Sequence, residues 1–213
     1  MIIVLFGKPG AGKGTQAPLL AERLEVKTLA TGDVLRAAVR EGTPRGMEAK
    51  AYMDRGDLVP DEVILAIVQE ALAKPEYANG AILDGVVRTV PQAEGLAKAL
   101  REMGREVDAV LCFSIDNEEI VRRLASRTVC EKCQTPYSDL EPGAPCTQPG
   151  CGGRVVRRKD DEPEAIRRRL EVFEQQTAPV FDWYKRHGTR VIEIDAVGDV
   201  EAVTNRALHG LGR

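Results

Sequence analysis

Five short runs of apolar, branched side chains punctuate the chain: Ile2–Phe6, Val26–Leu29, Ala81–Leu83, Ala109–Ile115 and Arg190–Ile194. They lack the in-out alternation of a half-wet sheet, which is the pattern of strands covered on both faces. Between them, apolar positions recur at helical spacing over Lys13–Leu24, Val34–Arg40, residues 45–55, Asp61–Ala73, Val90–Met103, Asn117–Arg127, Glu162–Arg186 and Val200–Leu211. This alternation predicts an α/β fold: a doubly wound, five-stranded parallel sheet with right-handed crossovers. Pro18 falls inside the first helix and removes one hydrogen bond, so a bend is expected there and not a break.

Two stretches interrupt the rhythm. Residues 30–66 carry three helical segments where one crossover needs only one. Residues 127–161 lose helical periodicity and gain Gly, Pro and Cys. Both are expected to be insertions on one face of the sheet. A chain of 213 residues suffices for one full core with such modules added.

Composition narrows the classes. No run of about 18 apolar residues exists, so no membrane span is expected. The first apolar run is too short for a secretory signal and lacks a basic flank, which points to a cytoplasmic protein. A net charge of −3 argues against a general nucleic-acid binder.

The first apolar run leads directly into Gly7-Lys8-Pro9-Gly10-Ala11-Gly12-Lys13-Gly14-Thr15. The pattern is G-x-x-x-x-G-K-x-T, a phosphate-binding loop with Gly14 inserted before the hydroxyl residue. Glycines let backbone N–H groups converge on a polyphosphate, and the helix N-terminus adds partial positive charge. Lys13 would neutralise the outer phosphates.

Four of the five cysteines lie in the second insertion, as Cys130-x2-Cys133 and Cys146-x4-Cys151. Two short-spaced thiol pairs joined by a brief loop are a tetrahedral zinc signature. Two disulfides or a redox pair are the competing readings. The absence of a secretory signal disfavours the first, and a redox dithiol needs no second pair. Four thiolates leave no open position, so the metal is expected to be structural. Cys112, in an apolar strand, reads as a core residue.

A zinc ribbon could also bind nucleic acid. The loop from Gln134 to Pro145, however, has no basic residue and one aromatic, Tyr137, which makes neither a phosphate stripe nor a stacking platform. The arginines stand at its borders: Arg122, Arg123 and Arg127 before it, then Arg154, Arg157, Arg158, Arg167, Arg168 and Arg169. Such borders suit a flap that closes over a polyphosphate. Arg122 and Arg168 read as solvated-face residues with acidic partners along the helix.

With these motifs in hand, nearly the whole chain resembles the adenylate kinase family. The loop Gly7–Thr15, with its extra Gly14, is similar to that family's G-x-P-G-x-G-K-G-T. Thr31-Gly32-Asp33-x-x-Arg36 resembles its nucleoside-monophosphate motif. Leu83-Asp84-Gly85-Val86-Val87-Arg88-Thr89 with Gln92 resembles D-G-F-P-R-T-x-x-Q, and Arg158-Lys159-Asp160-Asp161 with Arg169 matches the closing segment. The cysteine flap corresponds to the zinc-bearing lid of the long bacterial form.

The resemblance implies a core of residues 1–29, 60–125 and 162–213. It implies two mobile insertions, a monophosphate-binding domain at 30–59 and a lid at 126–161. The implied reaction is reversible phosphoryl transfer between Mg-ATP and AMP, giving two ADP, by a monomer that binds only small nucleotides. Gly10, Ala11, Gly12, Lys13, Gly14 and Thr15 would hold ATP, with Pro136, Tyr137 and Gly198 also at that nucleotide. Arg123, Arg158 and Arg169 would converge on the transferring group, while Arg127 would lie over the ATP base and sugar. Asp84 would orient magnesium-bound water, and Asp160 and Asp161 would pair with the arginines. Arg36 and Arg88 would grip the AMP phosphate, joined by Arg158 and Arg169. Thr31, Leu35, Met53, Asp57, Leu58, Val59, Gly85, Val86, Val87 and Gln92 would complete that pocket. Cys130, Cys133, Cys146 and Cys151 would hold structural Zn2+.

Alternatives stay open at this level. A UMP or CMP kinase shares the reaction class; a zinc-ribbon nucleotide sensor or nucleic-acid binder and a P-loop ATPase do not. Val86-Val87 replaces the family's Phe-Pro, whose proline commonly follows a cis bond. A cis bond before valine costs about 2.5–4 kcal/mol, so the bond is expected to be trans in an altered loop or to retain strain, giving weaker AMP binding or a shifted loop beside Arg88 with the reaction type unchanged.

Overall fold

The computed structural model describes residues 1–213, apart from the side chain of Arg45. Its strands are β1 (Ile2–Gly7), β2 (Lys27–Ala30), β3 (Ala81–Asp84), β4 (Ala109–Ser114), β5 (Thr128–Cys130), β6 (Pro136–Tyr137), β7 (Val155–Val156) and β8 (Val191–Asp195). Its helices are α1 (Lys13–Arg23), α2 (Thr31–Arg40), α3 (Pro44–Arg55), α4 (Asp61–Leu72), α5 (Val90–Glu102), α6 (Asn117–Ser126), α7 (Pro163–Val172), α8 (Ala178–Arg186) and α9 (Val200–Leu211).

The main sheet is parallel throughout, in the order β2-β3-β1-β4-β8. Ile2, Val4 and Phe6 face one core with α4, α5 and α8, while Ile3 and Leu5 face another with α1 and α9. Burial of successive residues on both faces is why these strands read as unbroken apolar runs. Helices α1 and α5, which leave the adjacent strands β1 and β3, pack on opposite faces. The crevice at the carboxyl ends of those two strands is where an open α/β sheet binds ligands. The register pairs Leu5 with Asp84, so Asp84 ends its strand beside the start of the phosphate loop.

Helix α1 runs through Pro18 without a break. The segment 162–186, expected as one helix, is divided: a π-helical turn, Phe173–Thr177, separates α7 from α8. Pro179, in the first turn of α8, lacks the N–H a continuous helix would use, and widening the preceding turn accommodates it. Helix α2 begins at Thr31 and so includes the whole Thr31-Gly32-Asp33 motif. The cysteine insertion forms a second sheet, antiparallel, in the order β6-β5-β7. Among the described residues no helix is long and apolar enough to cross a membrane.

Candidate active site

The phosphate loop is shaped by close approach. Gly7, at φ +138°, lies so near β4 that a Cβ would meet the Phe113 carbonyl oxygen at 2.5 Å, so only glycine fits. Lys13 Nζ turns back into the loop and donates to the carbonyls of Gly7 (2.6 Å) and Lys8 (3.0 Å). Burial pulls its ammonium down to about 8, with the Asp84 carboxylate opposing the shift. Burial likewise pushes the Asp84 carboxyl up, against the pull of Lys13 and Arg88. A Cβ on Gly14 would lie 3.5 Å from Asp84 Oδ2, an ordinary contact, so the inserted residue stands beside that carboxylate.

A cleft of about 540 Å³ opens over the loop. Gly10, Ala11, Gly12, Lys13, Gly14, Thr15 and Asp84 line it together with Arg123, Arg127, Pro136, Tyr137 and Gly198. Arg206 donates to the carbonyls of Asp195 and Val197 (2.7 Å each), and Arg123 Nη2 donates to Ala196 O at 3.2 Å. Arg123 is also paired with Glu119, one helical turn earlier, at 2.7 Å.

A smaller cavity of about 60 Å³ lies on the other side of the Asp84 strand end. Thr31, Leu35, Arg36, Met53, Asp57, Leu58, Val59, Gly85, Arg88 and Gln92 line it, with Arg158, Asp160 and Arg169. Gln92 is buried, and its carboxamide is fixed at both ends. Its Oε1 accepts the Arg88 N–H at 2.7 Å, and its Nε2 donates to Asp61 Oδ1 at 2.7 Å. A flipped amide would set donor against donor, so the orientation follows from the partners. One N–H and one lone pair of that amide stay uncommitted. The Thr31 hydroxyl donates to Gly85 O at 2.8 Å, which ties the start of α2 to the Asp84-Gly85 turn.

Val86 and Val87 are the exceptions among the residues expected here. Both side chains are buried in the apolar core, outside the lining of this cavity, and no peptide bond among the described residues is cis. Two β-branched residues fill the core in a trans loop, so the strained alternative does not arise.

The two cavities meet at arginines. Arg36, Arg88, Arg158 and Arg169 line both of them. Asp160 and Asp161 lie among these cations. Arg158 Nε donates to Asp160 at 2.8 Å, and Arg169 Nη1 reaches Asp161 Oδ1 at 3.0 Å. Arg127 grips Asp161 with two nitrogens, Nε at 2.7 Å. Burial would raise the Asp160 carboxyl, but Arg169 and Arg158 overcome it and hold the group well below the usual carboxylate range. Arg127 therefore belongs to the central cluster, whereas Arg123 is held by Glu119 and Ala196 O, with Nη1 beside Gly12 of the phosphate loop.

In the flap, the four sulfurs of Cys130, Cys133, Cys146 and Cys151 all lie within 4.8 Å of one another. The Cys130–Cys151 and Cys133–Cys146 separations are both 3.6 Å. Tetrahedral zinc with Zn–S bonds of about 2.3 Å sets sulfurs about 3.8 Å apart, whereas disulfide sulfurs lie about 2.05 Å apart. The N–H groups of Lys132 and Gln148 point at Cys130 and Cys146 sulfurs, 3.4 Å each, as donors to thiolates would. A Cβ on Gly153 would meet Cys130 Sγ at 2.6 Å, so the knuckle needs glycine there.

The sequence pattern of the adenylate kinase family matches residues 5–189. The chain is 61% identical to an adenylate kinase of Gemmatimonas aurantiaca, over 99% of both chains. It is 46% identical to that of Syntrophotalea carbinolica, over 100% of this chain and 99% of the relative. With the adenylate kinase of Methanothrix thermoacetophila it shares 46% identity, over 95% and 94%.

The chain belongs to the adenylate kinase family. It is a nucleoside monophosphate kinase, a phosphotransferase, and the five-stranded parallel sheet with its phosphate loop is the fold of that family. Within this adenylate kinase fold, sequence reading missed several residues that organise the site. Asp33, which pairs with Arg36, and Glu119, which pairs with Arg123, follow helical i,i+3 and i,i+4 spacing and were legible. Asp61 and Gln134 act across long sequence separations and carried no local signal. Arg168, read as a solvated-face residue with an acidic partner along the helix, does meet Glu171 there at 3.5 Å, and it also crosses to Asp57 at 2.8 Å.

Proposed function

We propose that this enzyme transfers the γ-phosphoryl group of ATP to AMP, with ATP in the large cleft and AMP in the small cavity. The observation that carries the reading is the shared wall. Four arginines line both cavities, at the one place where a donor γ-phosphate and an acceptor phosphate would meet.

Phosphoryl transfer needs positioning and charge neutralisation more than covalent chemistry. An oxygen of the AMP phosphate forms a bond to the γ-phosphorus, and the bond from that phosphorus to the β-bridging oxygen breaks, leaving two ADP. Backbone N–H groups of Gly10–Gly14 and the Lys13 ammonium hold the donor phosphates. Arg36 and Arg88 hold the acceptor phosphate. Arg127, Arg158 and Arg169 supply positive charge around the transferring group. Asp160 and Asp161 keep these buried guanidiniums paired until phosphate oxygens replace them. Arg123, held by Glu119 and Ala196 O, lies toward the base and sugar of ATP with Gly198.

Asp84 and Thr15 are the residues that would hold magnesium. A buried carboxylate amid cations, beside a helix-start hydroxyl, is an oxygen donor set suited to that hard ion. When bound, the ion adds charge neutralisation at the β- and γ-phosphates. The four-thiolate knuckle would hold structural zinc, which folds a flap with few apolar side chains of its own.

Residues 30–59 and 126–161 are the two domains that move, closing over the nucleotides so that water does not take the phosphoryl group. One chain supplies every residue named here, which suits a cytoplasmic monomer acting on free nucleotides. A coupled assay of ADP formation from ATP with each of AMP, GMP, CMP and UMP tests the assignment; AMP is expected to be the preferred acceptor.

A further inference from the structure

Gln134 follows Cys133 in the first thiolate knuckle, and its φ is +62°. That conformation is unfavourable for a residue with a Cβ and free for glycine. The turn alone would therefore be better served by glycine, and the side chain needs another reason to be there. Its carboxamide makes three hydrogen bonds. Nε2 donates to the carbonyls of Cys130 and Glu131, both at 3.1 Å, and Oε1 accepts Arg36 Nε at 3.1 Å. The two knuckle carbonyls fix which way the amide faces, because a flip would set oxygen against oxygen. The contact joins the flap to α2, which carries an arginine lining both cavities. Arg36 is paired on its own helix with Asp33 through Nη2.

We propose that Gln134 is a positioning residue for the acceptor phosphate. With the knuckle over the cleft, its amide oxygen takes Arg36 Nε and Asp33 takes one Nη2 hydrogen. The guanidinium plane is then fixed, and Nη1 is left to the phosphate. The inference rests on the assignment of the small cavity to AMP. By linkage, acceptor binding then favours the closed flap as much as the closed flap favours the acceptor.

The test is Gln134→Gly, which removes the amide and relieves the backbone at once. A purely structural residue at this turn would leave zinc content, melting temperature and AMP KM unchanged or improved. The proposal expects unchanged zinc content and a melting temperature no lower than wild type. It expects AMP KM raised about tenfold, the scale of one hydrogen bond to a charged group, and ATP KM within about twofold. Arg36→Ala, measured alongside, tests the underlying assignment. If AMP KM does not rise in Arg36→Ala, the cavity is not the AMP site. If it rises there but not in Gln134→Gly, the proposal is overturned. The double variant is expected to add nothing beyond Arg36→Ala, since both remove one interaction. Should Gln134→Gly lose zinc, Gln134→Asn replaces it with the same expectations, because Asn tolerates positive φ but is too short to span both partners.

Discussion

The carboxamide of Gln92 is held by Asp61, with Nε2 donating to Oδ1 at 2.7 Å. The same Asp61 oxygen accepts the Thr89 hydroxyl at 3.0 Å, and Thr89 caps α5 through the Gln92 N–H. One carboxylate therefore sets both the start of α5 and the edge that Gln92 presents to the acceptor base. Asp61→Ala is expected to raise AMP KM about tenfold while changing kcat less than about threefold. The preference for AMP over other nucleoside monophosphates should narrow with it. Asp61→Asn should recover most of both, because its amide oxygen still accepts from Gln92. Steady-state kinetics over the acceptor panel checks this, and an unchanged preference in Asp61→Ala would remove Asp61 from the account.

Arg127 and Arg123 lie one helical turn apart but face different partners, Asp161 and Glu119. Arg127→Ala is expected to lower kcat by about 10²–10³, the usual loss for one donor to transition-state charge. Arg123→Ala is expected to act mainly on ATP KM, with a smaller effect on kcat. Comparing the two variants at saturating AMP distinguishes them, and equal kcat losses would reject the division of roles.

The fold and much of the site were legible because they are local. The five strands betray themselves as unbroken apolar runs, and the phosphate loop, the cysteine pairs and the Asp84–Arg88 signature are contiguous motifs. What escaped depends on side-chain direction after folding. Val86 and Val87 sit between two site residues in sequence, yet their side chains enter the core. Arg123 and Arg127 have the same residue type at helix-related positions, and only the course of the chain after α6 separates their partners. Asp61 and Gln134 meet their partners 31 and 98 residues away, beyond any periodicity. The split of the expected helix at 162–186 follows from Pro179, a signal present in the sequence but outweighed by the apolar pattern on either side.

The pH dependence follows from Lys13. Its ammonium has a pKa of about 8 in the free protein, below the ordinary 10.5, so charge is lost as pH rises through about 8. Polyphosphate favours the charged form and should raise the pKa in the complex. Accordingly, kcat/KM for ATP is expected to fall above about pH 8, while kcat stays level to higher pH. In stability, the sign is the reverse of a salt-bridged lysine. Between pH 8 and 10.5 the unfolded chain holds the proton that folded Lys13 has released, so this group's contribution to stability increases with pH there. A kcat/KM profile flat to pH 10 would contradict the assignment.

Metal removal should act on the flap. Chelation of the purified protein is expected to release one zinc per chain and to lower the melting temperature by roughly 5–10 °C, as loss of a few kcal/mol does in a chain of this size. Activity should fall with it, because Arg127 and Arg158 flank the flap and depend on its order. Elemental analysis with calorimetry before and after chelation checks this, and a metal-free protein with the same melting temperature would refute a zinc-folded knuckle.

The pairing of the two cavities at Arg36, Arg88, Arg158 and Arg169, as donor and acceptor sites for ATP and AMP, is the assignment on which every role above depends. It is tested most directly by measuring ADP formed from ATP with AMP, GMP, CMP or UMP, and with no acceptor. Two ADP per AMP consumed are expected, with much lower kcat/KM for the other three acceptors and almost no ADP from ATP alone. Equal turnover with UMP or CMP, or steady ADP release without any acceptor, would contradict it.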